Sequence, residues 1–564
     1  MRVALGVALA VATNLAGAHA ATFVVSTTAD SGPGSLRQAI ADANAAPGLD
    51  AISFAIPEAG VPRISLATEL PTVSDPATID GTTQLPGASV ELDGDATSSA
   101  VGLSITGGGS TVRGLVIGGF DEAGILISGL GSNVVEGNLV GTNVSGTQGR
   151  SPLAYGIEVS SSPANRIGGT SPGSGNLVSG NLFGIFVHGS AAVGNVIEGN
   201  FVGTNLSGTA AVPNSSTGIW ILGASATVVG GADPAAGNVI AGNGTDGVDI
   251  GGPGAVDTMV WGNFIGFGAD LTTPLGNGEY GIYVYGSAGR TEIGGTVANL
   301  IAANGDAGVR LPAGTRNTVR ANVILDNGGL GIDLGTSAGV TLNDAGDVDG
   351  GANGSQNFPV LDAGFAGGTQ VSGTLDGAAS KSFIIEVFGS SACDPSGYGE
   401  GAELLAVVNV STDGSGHGEF TTTLSRTVDG STERLTATAT DSVGNTSEFS
   451  QCTTLLATTT TTSSSTTSST SSSTTTTAGG GSSTTTTSVP ETSTTSVTST
   501  TTSTTAGGES STTSSSVPGT STTSVTFSTT STTAGGGSST TTTSVPETST
   551  TSVTSTTTST TAGG

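Results

Sequence analysis

The sequence Gly-Ile-Phe-Val at residues 184–187, followed by Asn-Val-Ile-Glu-Gly-Asn at residues 195–200, is the phrase that decides the fold. It returns as Gly-Ile-Leu-Ile at 124–127 with Asn-Val-Val-Glu-Gly-Asn at 133–138, and as Gly-Ile-Tyr-Val at 281–284. The glycines that open the phrase stand at positions 102, 124, 156, 184, 218, 247, 281, 308 and 331. These nine units repeat at about 28 residues, too short to close a hydrophobic core alone, so neighbouring units must stack.

Each unit contains short apolar runs that alternate with period two, are rich in Ile and Val, and end at Gly or Asn, which is typical of strands joined by tight bends. The unit that begins at Gly218 has three such runs, at 218–221, 227–229 and 238–240. The sequence therefore predicts an all-β solenoid with three strands per coil, a parallel β-helix. Asparagine recurs after the last run, at positions 138, 181, 200, 243, 263, 304 and 322. Because Asn accepts sharp bends and can hydrogen-bond its stacked copy, we expect an internal ladder.

Over residues 22–357 the chain resembles the bacterial secreted right-handed β-helix proteins of the pectin-lyase-like superfamily. Residues 34–39, Gly-Ser-Leu-Arg-Gln-Ala, resemble the Cys-Ser-Leu-Arg-Glu-Ala motif that names one group of these proteins, with Gly34 and Gln38 as departures. The same stretch has the form of a capping box and places Leu36, Ala39, Ile40 and Ala43 on one helical face. We expect a short amphipathic helix there that covers the open end of the stack.

Five segments follow from these patterns. Residues 1–20 have a basic Arg2, an apolar run and the small-residue end Ala-His-Ala, which predicts a secretory signal peptide. The remaining segments are an N-terminal cap with the first coils at 21–100, the regular coils at 101–357, a small β-sandwich at 358–457 that resembles bacterial immunoglobulin-like modules, and a tail at 458–564. The tail is almost entirely Thr and Ser, repeats Ala-Gly-Gly every 28 residues, and is expected to be disordered.

Composition and charge limit the partners. The chain has 13 Lys and Arg against 43 Asp and Glu, a net charge of −30, which argues against nucleic acid or an anionic membrane as partner. No stretch after the signal is apolar enough to span a bilayer. We expect a secreted or cell-surface monomer. In such a protein the two cysteines, Cys393 and Cys452, are expected to form a disulfide.

One column of residues is the candidate ligand-binding face. In each Gly-Ile-x-Val strand the branched residues point inward, so x is expected to face solvent. Read down the stack, the x residues with binding chemistry are Glu158, Phe186, Trp220, Asp249, Tyr283, Arg310 and Asp333. Sugar rings stack on exposed aromatic strips, and the resemblance implies that such a face can hold polysaccharide. Single exposed aromatics are also common in strands without any function.

The column offers little for catalysis. Glycoside hydrolysis commonly needs two carboxyl groups about 5 to 9.5 Å apart, whereas Glu158 and Asp249 should lie three rungs apart, about 14 Å. The resemblance implies that a lyase would place a basic residue beside calcium-binding carboxylates, and Arg310 next to Asp333 is the nearest approach. His188 projects beside Phe186 and is treated as an ordinary surface histidine.

Calcium is the one cofactor that the sequence indicates. Asp344, Asp347 and Asp349 stand close together before Gly350, and closely spaced carboxylates can wrap Ca²⁺. An acidic turn without an ion explains the same residues.

Three hypotheses follow. The first is an exported glycan-binding or surface-binding protein without catalysis, with the sandwich and tail as spacer. The second is a polysaccharide lyase or glycoside hydrolase that uses the face from Phe186 to Asp333. The third is a purely structural stalk.

Overall fold

The structure, a computed structural model, describes residues 20–85, 89–150, 153–362, 369–430 and 432–454, together with five short strands in the tail. The predicted signal peptide lies outside the described residues except for Ala20, so it stays a prediction. The chain divides into two compact units, Met1–Thr462 and Ser463–Gly564, which are described separately below. The boundaries of the five predicted segments also stay predictions.

The first unit is a parallel β-helix, as the repeat predicted, built from three long parallel sheets that we call sheets A, B and C. Sheet A has eleven strands, Thr22–Val25, Asp50–Phe54, Ala77–Asp80, Thr111–Arg113, Val134–Glu136, Arg166–Gly168, Val196–Glu198, Val228–Gly230, Met259–Trp261, Glu292–Gly294 and Thr318–Arg320. Sheet B has ten strands, Arg63–Ser65, Val90–Asp93, Leu115–Gly118, Leu139–Val140, Leu177–Val178, Phe201–Val202, Val239–Ile240, Phe264–Ile265, Leu300–Ala302 and Val323–Leu325. Sheet C has nine strands, Leu103–Ile105, Ala123–Ser128, Tyr155–Ser160, Phe183–His188, Ile219–Leu222, Val248–Gly251, Ile282–Tyr285, Val309–Leu311 and Ile332–Leu334.

The nine opening glycines enter sheet C, and the Ile and Val on either side of each x residue point into one continuous core. Ile185 and Val187, for example, are fully buried and stack on Ile219 and Ile221 of the next coil. Each coil therefore buries its apolar side chains against its neighbours. This burial, roughly 25 cal/mol per Å² of apolar surface, is what a single unit could not achieve alone.

The predicted helix is present at Leu36–Ala45. Ser35 is its N-cap, and the Ser35 hydroxyl accepts a hydrogen bond from the Gln38 backbone N–H at 3.2 Å. The buried face is the expected one, since Leu36, Ala39, Ile40 and Ala43 all join the solenoid core. The helix packs against the strands Thr22–Val25 and Asp50–Phe54 at the edge of sheet A, where it covers the first coil.

The expected asparagine ladder is present more than once. Asn133, Asn165 and Asn195 form a short ladder, and two long ladders run along two corners of the coil. One consists of Asn138, Asn176, Asn200, Asn238, Asn263, Asn299 and Asn322, and the other of Asn181, Asn214, Asn243, Asn277, Asn304 and Asn327. In each ladder the side-chain Nδ2 donates to Oδ1 of the next asparagine at 2.8–3.0 Å. The amide has both a donor and an acceptor, so identical residues satisfy each other inside the solenoid.

Two longer loops begin with the phrase Gly-Thr-Asn-x-Ser-Gly-Thr, at 141–147 and 203–209, and are turns closed by bridges from Thr142 to Gly149 and from Thr204 to Ala211. The structure adds a third loop of the same form at 267–274, which lacks the Gly-Thr-Asn motif. The loops touch each other across two coils, because Leu206 N–H donates to Gly146 and Ala269 N–H donates to Gly208. They line one flank of the solenoid beside sheet B.

Two antiparallel sheets follow the solenoid. One contains Val360–Leu361, Gln370–Asp376 and His417–Thr423, and the other contains Ser382–Ser390, Glu403–Ser411, Arg434–Asp441 and Thr453–Thr454. They share a second hydrophobic core that includes Leu375, Ile385 and Phe420, so the predicted β-sandwich is present. The predicted disulfide joins Cys393 and Cys452. The immunoglobulin-like identity of this sandwich stays a prediction.

The sandwich closes the C-terminal end of the solenoid, whereas the first hypothesis assigned it only the role of a spacer. Phe388 and Phe449 enter the solenoid core, with ring centroids 5.4 Å apart. The carboxyl groups of Glu386, Glu400 and Glu448 are buried and accept backbone N–H groups of the last coil and the segment after it, including Ala321, Asp326 and Leu334. These N–H groups have no following coil to bond, so the carboxyl groups take the place of a next rung.

In the second unit the structure describes the strands Val497–Thr500, Ser511–Ser516, Ser524–Ser528, Ser539–Ser544 and Ser552–Thr556. They pair in parallel at an offset of 28 residues, for example Val497 with Val525 and Val525 with Val553. The predicted disorder of the tail as a whole stays a prediction. Identical phrases can stack in register at the repeat length, and each backbone group then finds a partner. Among the helices of the described residues, none is both long and apolar enough to cross a membrane.

Candidate functional site: an aromatic and acidic face on sheet C

The predicted x column lies on one sheet. Glu158 pairs with Phe186, Phe186 with Trp220, Trp220 with Asp249, Asp249 with Tyr283, Tyr283 with Arg310, and Arg310 with Asp333. The register of sheet C therefore brings all seven predicted residues into one line. Glu158 and Asp249 are three rungs apart, as expected.

Two further columns flank the x column, and of their residues sequence reasoning identified only His188. One lies three residues before x and contains Tyr155, Phe183, Thr217, Asp246 and Tyr280. The other lies two residues after x and contains Ser160, His188, Leu222, Gly251 and Tyr285. The sequence does indicate the first of these columns, since the residue before the opening glycine is aromatic in three of the units: Tyr155, Phe183 and Tyr280. A bend just before the strand turns this residue outward, whereas strict in–out alternation along the strand would place it inside.

The aromatic residues of these columns form a connected surface that we call the aromatic face: Tyr155, Phe183, Phe186, Trp220, Tyr280, Tyr283 and Tyr285. At one end Phe186 stacks between Tyr155 and Trp220, with ring centroids at 4.9 and 4.4 Å. The Phe183 ring lies 5.1 Å from Trp220. Six of the seven rings are half-buried, whereas Phe186 is only 6% exposed. The expectation that Phe186 faces solvent is wrong, because its neighbours cover both faces of its ring.

The other end of the aromatic face is a group of three tyrosines. The Tyr283 ring lies 4.8 Å from Tyr285 and 5.2 Å from Tyr280. Tyr285 reaches back two rungs, where its phenol oxygen accepts a hydrogen bond from Trp220 Nε1 at 2.9 Å. It passes over Gly251, and a Cβ atom at that position would overlap the Tyr285 ring. The glycine is therefore what lets the two ends of the aromatic face join.

Between the two ends lies a pair of carboxyl groups, Asp246 and Asp249, that we call the acidic pair. Asp249 Oδ2 accepts a hydrogen bond from the Thr217 hydroxyl at 3.1 Å, and Asp246 Oδ1 accepts one from the Tyr280 backbone N–H at 2.9 Å. Asp249 Oδ1 is buried and has no donor among the described residues.

Protonation of the acidic pair follows from its surroundings. Burial, followed by the negative charge of Asp246, raises the pKa of Asp249 to about 8. Burial also raises the pKa of Asp246. Two carboxyl groups side by side in a half-buried aromatic setting cannot both ionise cheaply, so the pair keeps a proton at neutral pH. The face therefore carries a hydrogen-bond donor where the sequence indicated a charged Asp249.

Glu158 and His188 form a second polar group at the end of the face that contains Phe186. His188 Nε2 and Glu158 Oε1 are 2.8 Å apart, and the His188 ring stacks on Phe186 at 4.3 Å. His188 therefore lies where the sequence placed it, beside Phe186. Its carboxylate partner and the ring beneath it hold its orientation.

Arg310 and Asp333 are not part of the solvent-facing surface. Their side chains are 5% and 3% exposed and form an ion pair at 2.7 Å. The segment after the last coil covers them, since Gly339 N–H lies 3.4 Å from Asp333 Oδ2. Burial raises the pKa of Asp333 to about 6. The expectation that these two residues face solvent is wrong, because the chain folds back over the last coil, and Arg310 is not free to act on a polysaccharide.

The calcium candidate stays a prediction. One oxygen each of Asp344, Asp347 and Asp349 lies within 4.8 Å of the others. Asp347 accepts hydrogen bonds from Asn357 N–H at 2.9 Å and Gln356 Nε2 at 3.0 Å, and Asp344 accepts one from Asp349 N–H at 3.2 Å. These bonds hold the turn without an ion. Burial raises the pKa of Asp347 to about 6.

No model of a known protein family and no curated protein matches the chain. Among solved structures, the chain is similar to a mutant of the periplasmic alginate epimerase AlgG, with 16% identity and a TM-score of 0.27 over 50% of this chain and 58% of that one. It is also similar to the A-module of the Azotobacter vinelandii mannuronan C-5 epimerase AlgE4, with 17% identity and a TM-score of 0.28 over 56% of this chain and 88% of that one. A third is tailspike protein 2 of the Escherichia coli O157:H7 bacteriophage CAB120, with 12% identity and a TM-score of 0.23 over 74% of this chain and 65% of that one. The assignment of the fold rests on the three parallel sheets of this chain, which make it a parallel β-helix protein.

Proposed function

We propose that the protein binds a polysaccharide along the aromatic face of sheet C, and that binding rather than chemistry is its function. One observation carries the proposal: half-exposed rings form a continuous surface from Tyr155 to Tyr283. Such rings offer flat apolar area together with polar edges, which suits the mixed surface of a sugar.

The size of the face fits a polymer better than a single sugar. The rungs of Glu158, Phe186, Trp220, Asp249 and Tyr283 follow one another directly, which gives four steps of about 4.8 Å, or about 19 Å in total. A surface that repeats along one axis suits a ligand that repeats along one axis. The face is open rather than a deep pocket, so the chain ends of a polymer can extend beyond it.

The setting supports an extracellular partner. The predicted signal peptide directs the chain to export. The disulfide between Cys393 and Cys452 is of the kind that persists in oxidising compartments. Polysaccharides of cell surfaces and the surrounding medium are available there.

The test is retention of the full chain in native gels that contain single polysaccharides, with Trp220→Ala and Trp261→Ala as a matched pair. Trp261 is a half-buried tryptophan on sheet A, away from the aromatic face. We expect at least one polysaccharide to retard the wild type and the Trp261→Ala variant, with about tenfold weaker retardation of Trp220→Ala. Equal retardation of the two variants, or no retardation by any polysaccharide, would overturn the proposal.

Glycoside hydrolysis is a second candidate, favoured by the acidic pair alone. A carboxyl group that stays protonated at neutral pH can serve as a general acid. Carboxyl groups that share a proton are about 2.5–3 Å apart, too close to serve as the two separate groups of a glycosidase. The pair would act as one acid, with exposed Glu279, whose charge acts on both carboxyl groups, as base.

Release of reducing ends separates the two candidates. Hydrolysis predicts new reducing ends that disappear in Asp249→Asn and in Glu279→Gln while gel retardation remains. Binding without chemistry predicts retardation with no new reducing ends in the wild type.

A further inference from the structure

We infer that the polysaccharide held by the aromatic face is uncharged, and that polyuronates and sulfated chains are rejected; this inference rests on the proposed function.

The carboxyl groups beside the aromatic face come from four coils. Glu158 lies next to Phe186 in the x column, and its charge acts on Tyr155. Asp246 and Asp249 lie at the centre, and the charges of Asp306 and Glu279 act on Tyr280 together with the charge of buried Arg310. A polyuronate laid on these rings would bring its own carboxylates against this group. Repulsion between like charges near a low-dielectric surface is costly and acts over several ångströms.

The basic side chains of this face already have acidic partners. Arg310 is 4% exposed and pairs with Asp333, and His188 pairs with Glu158. Within the part of sheet C that the structure describes, Arg310 is the one Lys or Arg in the three outward columns. Recognition of a uronate or sulfate needs an accessible Arg or Lys, and the face has none among its described residues.

The net charge of the whole molecule also disfavours an anionic polymer. Its net charge of −30 repels an anionic polymer before contact. Two of the carboxyl groups already have partners, since Glu158 binds His188 and Asp249 accepts a hydrogen bond from the Thr217 hydroxyl. These groups can still form hydrogen bonds with sugar hydroxyls.

The experiment compares affinities of the full chain for three classes of soluble polymer in the presence of EDTA, so that no divalent cation bridges like charges. The neutral probes are hydroxyethyl cellulose, galactomannan and soluble starch, the anionic probes are polygalacturonate and alginate, and the cationic probe is chitosan. We expect a neutral polymer to bind at least tenfold more tightly than either anionic polymer, with little change between 20 mM and 500 mM NaCl, values chosen to span strong and weak screening (about 20 Å and about 4 Å Debye length).

A gain-of-function variant makes the test sharper. Glu279 is exposed at the rim of the face, so Glu279→Lys can be made without disturbing the core. We expect this variant to improve polygalacturonate binding about three- to tenfold at low salt, and Glu419→Lys, an exposed site on the sandwich, to improve it much less.

The outcomes separate the inference from the proposed function. Tightest binding to an anionic or cationic polymer that is lost in Trp220→Ala would overturn the inference and leave the proposed function intact. Binding to no polymer of any class would overturn the proposed function, and the inference with it. Neutral preference that is lost in Trp220→Ala supports both.

Discussion

Trp220 and Tyr285 are 65 residues apart in the chain, yet Trp220 Nε1 donates a hydrogen bond to the Tyr285 phenol oxygen at 2.9 Å. The bond spans two rungs of sheet C and passes over Gly251. Asp249 lies on the rung between the two residues. The bond therefore ties the two halves of the aromatic face into one surface and encloses the acidic pair.

Removal of this bond tests that description. We expect Tyr285→Phe to lower the free energy of unfolding by about 1 kcal/mol, because Trp220 Nε1 loses its acceptor in a half-buried site. Tyr283→Phe is the control, since its ring has the same kind of neighbours. Urea unfolding followed by tryptophan fluorescence measures both. Equal losses in the two variants would contradict a specific role for the bond.

The acidic pair makes stability depend on pH. The pKa of Asp249 is raised from an ordinary 3.8 to about 8, so the folded protein keeps a proton that the unfolded chain has lost. The stability linked to this proton is complete below about pH 4 and declines as pH rises through about 8. We expect the melting temperature to fall between pH 6 and pH 8, within the window set by these pKa values.

Asp249→Asn identifies the source of that decline. The variant cannot ionise at this position, so its melting temperature should fall less steeply from pH 6 to pH 8 than that of the wild type. A smaller decline in melting temperature should remain in the variant, because burial also raises the pKa of Glu448, to about 7. Parallel pH profiles for the wild type and the variant would show that Asp249 is ionised throughout.

Substitution of a ladder asparagine should lower the free energy of unfolding far more than substitution of a turn asparagine. Asn200 Oδ1 accepts from the Asn176 backbone N–H and side-chain Nδ2, and Asn200 Nδ2 donates to Asn238 and to the Ile167 carbonyl. We expect Asn200→Ala to cost about 3 kcal/mol or more, because several buried groups lose partners. Asn143→Ala, on a loop, should cost about 1 kcal/mol. Comparison of their unfolding midpoints decides between a ladder and independent turns.

The capping role of the sandwich rests on Glu400. Its carboxyl group accepts from Asp326 N–H at 2.6 Å, and from Asn327 N–H and Nδ2, both at 3.1 Å. We expect Glu400→Ala to destabilise the chain by about 2 kcal/mol or more. Glu403→Ala, which removes an exposed ion pair with Arg426, should cost at most about 1 kcal/mol. Differential scanning calorimetry of the full chain compares them, and equal effects would mean that the sandwich is not a cap.

Much of the fold was determined by the sequence alone. The opening glycines, the inward Ile and Val and the corner asparagines follow from period-two alternation and repeat length, both of which are local properties of the chain. The helix at Leu36–Ala45 follows from its cap and its apolar face. The x column follows as well, since equal positions of equal units must stack. These predictions needed no knowledge of which distant residues meet.

Only the tertiary structure decided how exposed the x residues are and what accompanies them. Phe186, Arg310 and Asp333 are buried because neighbouring rings, or the chain that follows the last coil, cover them. Asp246 joins Asp249 because the bend before the strand turns it outward. The sandwich becomes a cap because the last coil has N–H groups without partners. Exposure, pairing and capping depend on which surfaces meet in space, and the repeat contains no information about residues outside its own period.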